Sequence, residues 1–140
     1  MRSLSINIIN HELLTKAYGK WPSFHDAEVL SIGLSRQVGS ELSSEARVVV
    51  NCFTTKTVNE GTVDFETVLD KNYAITFLFR GISNLYIDGF NHQNVIDDIE
   101  IDRQGDIFKV VFVSIFGVSS SFTCREIEVV SVRPMSDIQA

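Results

Sequence analysis

Residues 95–116 read VIDDIEIDRQGDIFKVVFVSIF, and two strands joined by a turn account for the pattern. In the first half, Ile99 and Ile101 alternate with Asp98, Glu100 and Asp102. A period of two puts the carboxylates on one face of a strand, with Val95, Asp97, Ile99 and Ile101 on the other. Gln104-Gly105-Asp106 supplies the turn. In the second half, Ile107, Val111, Val113 and Ile115 fill one face, and Phe108, Val110, Phe112 and Phe116 fill the other. A strand apolar on both faces predicts a layer over each side. A dimer seam is the alternative cover for one of them.

The same period runs outward in both directions. Leu30, Ile32 and Leu34 share one face of an early strand, and Ala46, Val48, Val50 and Cys52 share one face of the next. Tyr73, Ile75, Phe77 and Phe79 follow, then a short strand around Leu85 and Ile87, and a last strand from Phe122 to Arg133. Turn signals separate them: Gly39-Ser40-Glu41, Asn59-Glu60-Gly61, Asn91 to Asn94, and Gly117 with Ser119-Ser120-Ser121. Near the start, Asn10 reads as a helix N-cap with Ile9 and Leu14 at the staple positions. Leu13, Leu14, Ala17 and Tyr18 form an apolar stripe, and Gly19 ends the helix. These elements predict a mainly β fold (α+β with one short N-terminal helix): an antiparallel meander forming a curved sheet or sandwich, with the helix against one side. A length of 140 residues fits one domain, residues 1–140, able to bury its own core.

Charge narrows the partners. Twelve Lys and Arg stand against eighteen Asp and Glu, giving a formal net charge of -6. Adjacent basic residues are absent, so neither a phosphate backbone nor an anionic membrane surface finds a matching patch. The expectation is no nucleic acid, no membrane and a basic protein partner. The opening MRSLSINIIN is too short and too interrupted for a signal peptide or a membrane span, which places the chain in the cytoplasm. Cys52 and Cys124 lie in apolar runs and read as buried thiols.

No constellation makes a positive case for an enzyme or a cofactor. His25-Asp26 invites a metal reading, but His11 and His92 stand alone and no HExxH or CxxC spacing exists. The more economical role for His25 and Asp26 is to satisfy backbone groups where the chain enters its first strand. Ser119-Ser120-Ser121 lacks a flanking glycine elbow and reads as a solvated turn. Trp21-Pro22 sets an extended approach to Phe24, so Trp21 and Phe24 close the helix onto the sheet or anchor a partner.

One local feature stands out. From Leu85 to Asp106 six acids and one base, Arg103, give a segment charge of -5 out of the chain's -6. Asp98, Glu100 and Asp102 project together, with Asp97 and Asp88 nearby in sequence. Such a comb either keeps an edge strand from pairing or docks a cationic partner.

Two stretches carry a resemblance. Trp21-Pro22-Ser23-Phe24-His25-Asp26-Ala27-Glu28-Val29 leads the first strand, and Gly89-Phe90-Asn91-His92-Gln93-Asn94-Val95-Ile96 joins two later ones. Together they resemble the immunity protein 50 family of bacterial polymorphic-toxin systems, across most of the chain. The resemblance implies a cytoplasmic protein that neutralises a cognate protein toxin, and no catalytic residue carries over from it. Within the motifs, Trp21, Pro22, Phe24, His25, Asp26, Gly89, Asn91 and Asn94 read as architectural, priming a strand and closing a hairpin-like connection. Asp98, Glu100, Asp102, Asp97 and Asp88 are the expected partner-facing residues, suited to a basic nuclease domain. Two other readings stay open: a small-ligand-binding or housekeeping β-domain, either monomeric or a homodimer through the doubly apolar strand, and a metal-dependent hydrolase using His25 and Asp26.

Overall fold

The computed structural model describes residues 7–39, 42 and 44–138. Along the chain run α1 (Glu12–Tyr18), β1 (Glu28–Arg36), β2 (Ser44–Val58), β3 (Glu66–Arg80), β4 (Ser83–Asp88), β5 (Val95–Gln104), β6 (Ile107–Phe116), β7 (Ser119–Cys124), β8 (Glu126–Pro134) and α2 (Met135–Ile138). The eight strands form one antiparallel sheet in the order β4-β7-β6-β5-β1-β2-β3-β8. The mainly β reading with a short early helix therefore holds. Of the expected turn at Gly39-Ser40-Glu41, Ser40 and Glu41 lie outside the described residues, as does most of the N-terminal stretch.

The sheet curves until its ends share a core. Its two halves, β4-β7-β6-β5 and β1-β2-β3-β8, meet at a single paired position, Glu28 opposite Val95. Backbone bonds from Ile96 N–H to Ala27 (2.9 Å) and from Val29 N–H to Asn94 (2.8 Å) hold that seam. The inner faces then touch: the Phe79 ring of β3 lies 5.0 Å from Phe122 of β7 and 6.2 Å from Phe112 of β6. The expected apolar rows of β2 and β3 point into this core, with Val50, Ile75 and Phe79 fully buried. Removing a wholly enclosed ring such as Phe79 costs about 3–5 kcal/mol.

Four local expectations change. The helix is preceded by His11 with no side-chain cap; Asn10 instead adopts a left-handed turn (φ 62) and its amide reaches Glu128 at 3.4 Å. Gly19 does end the helix, left-handed at φ 83. In β1 a bulge between Val29 and Ser31 turns Leu30 outward and Val29 inward; Leu34 keeps the inner face opposite Ala46 and is exposed near the strand's end. Ser119-Ser120-Ser121 is not a solvated turn but part of β7, where the Ser120 hydroxyl donates to the Tyr86 carbonyl at 2.8 Å. The expected last strand is two, because the chain leaves one half-sheet for the other at Arg125, whose N–H bonds the Arg80 carbonyl at 2.9 Å.

The doubly apolar strand β6 is covered on one face. Phe108, Val110 and Phe112 are buried, while Val111 and Val113 stay partly open and Ile115 and Phe116 are exposed. No helix among the described residues is long and apolar enough to cross a membrane.

Candidate functional site

The site begins with how the chain enters β1. The chain bends at Trp21, and Pro22 and Phe24 turn inward. Phe24 is buried, its ring 6.2 Å from Trp21 and 6.1 Å from Phe77. Asp26 then takes a left-handed conformation (φ 67), and its N–H donates to the Ile96 carbonyl at 2.9 Å. This reversal leaves the His25 and Asp26 side chains in solvent beside β5.

Strand β5 supplies the acidic row. Ile99 and Ile101 are buried, and Asp98, Glu100 and Asp102 are exposed, as the alternation requires. They stand opposite Val113, Val111 and Lys109 of β6. Asp97 departs from its expected place on the apolar face. Register shifts at Ile96 and Asp98 form a bulge that buries Ile96 and throws Asp97 outward. Asp97 Oδ1 then lies 2.6 Å from His25 Nδ1, while Asp26 Oδ2 is 3.6 Å from Nε2 of the same ring. The two carboxylates address opposite nitrogens, so the three groups do not converge on one point. Among the described residues no set of three or more His, Cys, Asp or Glu is placed to hold a metal ion.

Between these walls runs an open cleft of about 680 Å³. Lys20, Trp21, Pro22, Ser23 and His25 form one side, and Asp97 through Ile101 form the other. The fold thus brings the first motif to the acidic strand. Asp88 it does not bring: β7 and β6 lie between β4 and β5, a separation of roughly 14 Å at ordinary strand spacing.

The second motif is tied into a different corner, and it makes no hairpin, because β4 pairs with β7 and β5 with β6. The buried Asn94 amide joins three segments there. Its Oδ1 accepts the N–H groups of Asn91 (2.8 Å) and Val118 (3.1 Å), and its Nδ2 donates to the carbonyls of Asn91 (3.0 Å) and Val29 (3.4 Å). Two left-handed glycines fit against this knot. A Cβ on Gly89 would meet the Gly117 carbonyl at 2.8 Å, and one on Gly117 would meet the Gln93 carbonyl at 2.3 Å.

The cysteines are buried, and burial pushes the Cys52 thiol up to about 11 and the Cys124 thiol up to about 12. Both stay protonated at neutral pH, which removes the thiolate a nucleophile needs. Sequence reasoning passed over Lys20 at the cleft rim and the loop after β2, where Val63 and Phe65 alternate with Asp64 and Glu66. That alternation was a readable signal.

A family model described as immunity protein 50 matches residues 10–135. No curated protein and no solved structure matches the chain.

Proposed function

Since the chain belongs to the immunity protein 50 family, we propose that it neutralises a cognate protein toxin in the bacterial cytoplasm by stoichiometric binding, with no bond-breaking of its own. The observation that carries the binding mode is the outward row Asp98, Glu100 and Asp102 beside an open cleft. Asp97 extends that row toward the first motif, and Asp88 stands apart as an outlying contact. A rigid carboxylate row steers a basic partner into register and repels an acidic one. Where the toxin is a nuclease, these carboxylates occupy the track that phosphates would take. An interface of about 800 Å² per partner is roughly a tenth of the 7975 Å² this chain presents.

The test is calorimetric titration of the chain into the purified toxin domain encoded beside its gene, with toxin activity read in parallel. One-to-one binding that abolishes activity is expected. Toxin activity that persists at saturating amounts of the chain would contradict the reading.

A further inference from the structure

The β2–β3 hairpin outruns its neighbours. β1 accompanies β2 only as far as Asn51, and β8 accompanies β3 only from Tyr73. Past the register shift that follows the Phe53–Asn72 pair, the two strands pair with each other alone: Thr55 with Leu69, Lys56 with Val68, Thr57 with Thr67, Val58 with Glu66. Four such pairs carry the ribbon roughly 13 Å before the loop at 59–65 begins. From Thr55 to Asp70 only Val58 and Val68 are partly covered, so water reaches both faces.

The end of this arm is apolar and acidic together. Val63 is 100% exposed and Phe65 58%, and neither adds anything to the core. From Asn59 to Asp70 the chain carries Glu60, Asp64, Glu66 and Asp70 and no Lys or Arg. Asp70 pairs with Lys56 at 3.5 Å; Glu60, Asp64 and Glu66 have no ion pair among the described residues.

The base, in contrast, is pinned. The Tyr18 hydroxyl donates to the Cys52 carbonyl at 2.8 Å, Lys71 Nζ donates to the Tyr18 carbonyl at 3.2 Å, and Asn51 Nδ2 donates to the Tyr73 carbonyl at 3.1 Å. The Cys52 thiol reaches the carbonyl of Ser23, at 3.6 Å, and Ser23 belongs to the cleft wall. A fixed root beside the acidic cleft therefore carries a tip with two open apolar side chains.

A lone two-stranded ribbon in water is marginally stable, and a partner that covers it offsets the cost of its order. We propose that this tip is the apolar anchor of the toxin-binding surface: Val63 and Phe65 enter a hollow on the cognate toxin, and Glu60, Asp64 and Glu66 meet a basic rim around it. The proposal rests on the immunity reading above and adds a second contact to it. The charge selects the occupant. Two copies joined tip to tip would oppose the same unpaired acids within chains of net charge -6. A basic toxin face opposes nothing.

The experiment uses the purified toxin domain encoded beside the gene, with two variants of the full chain. One carries Val63→Ser and Phe65→Ser. The other replaces residues 59–65 with Asn-Gly, a two-residue turn that closes the ribbon between Val58 and Glu66. Both should unfold at the midpoint of the unaltered chain and bind the toxin about 30-fold or more weakly. Amide exchange across residues 55–69 should slow when toxin is added to the unaltered chain. Affinities within about threefold of the unaltered chain's, with unchanged exchange in the arm, overturn the anchor and leave the acidic-face reading standing. If the unaltered chain does not bind the toxin at all, both readings fall together. If it forms a dimer that Val63→Ser and Phe65→Ser dissolve, the occupant is a second copy, and the anchor is overturned.

Discussion

The His25 imidazole meets the Asp97 carboxylate across 2.6 Å, tying the segment before β1 to the bulge in β5. Both side chains are more than half exposed, at 61% and 53%. Water screens such a contact, so it positions the cleft wall more than it stabilises the fold. Urea unfolding of His25→Ala or Asp97→Asn should show a loss below about 1 kcal/mol. A loss several times larger would mean that the pair belongs to the structural framework.

The Asn94 knot behaves in the opposite way. Asn94→Ala leaves the buried N–H of Val118 and the part-buried N–H of Asn91 without their acceptor. One stranded buried donor costs about 1–3 kcal/mol, so a total near 3 kcal/mol is expected by denaturant titration. Gly117→Ala forces a left-handed φ of 87 on a residue with a Cβ and drives that atom into the Gln93 carbonyl. It should cost more than about 2 kcal/mol. If either variant unfolds like the unaltered protein, the corner is not the joint described above.

Alkaline pH should weaken the fold. Buried Cys52 and Cys124 titrate near 11 and 12, against 9.0 for a free thiol. Burial, with Cys52 alongside, also lifts the Tyr18 phenol above its usual 10.0. The unfolded chain therefore releases these protons first. Stability is at its full value below about pH 9 and falls as pH climbs through 11. Unfolding titrations at stepped pH should show the decline, and a flat profile would contradict it. At pH 8 a disulfide thiol reagent should find neither cysteine in the folded protein and both after guanidinium.

Much of this architecture was legible in the sequence because burial imposes a period of two. The rows Val48, Val50 and Cys52, and Ile75, Phe77 and Phe79, face the core as that period requires. So does the alternation of Ile99 and Ile101 with Asp98, Glu100 and Asp102. A bulge adds one residue and inverts the parity on its far side, and nothing in the composition marks it. That is why Leu30 and Asp97 point out where alternation puts them inward. Long-range pairing is equally silent: Asn91 to Asn94 has the chemistry of a turn, but β4 and β5 end three places apart in the sheet. The cleft exists only because the first motif folds beside β5, a contact between residues 72 positions apart at His25 and Asp97.

Reversal of the acidic row asks the decisive question. The full chain carrying Asp98→Lys, Glu100→Lys and Asp102→Lys should keep its fold, since all three side chains face water. Its affinity for the cognate toxin domain should fall about 100-fold or more, because like charges would then confront a basic face. The unaltered complex should weaken as salt rises toward roughly 0.5 M, and the reversed variant should lose that dependence. A reversed variant that binds and neutralises the toxin as the unaltered chain does, with the same response to salt, would contradict the account.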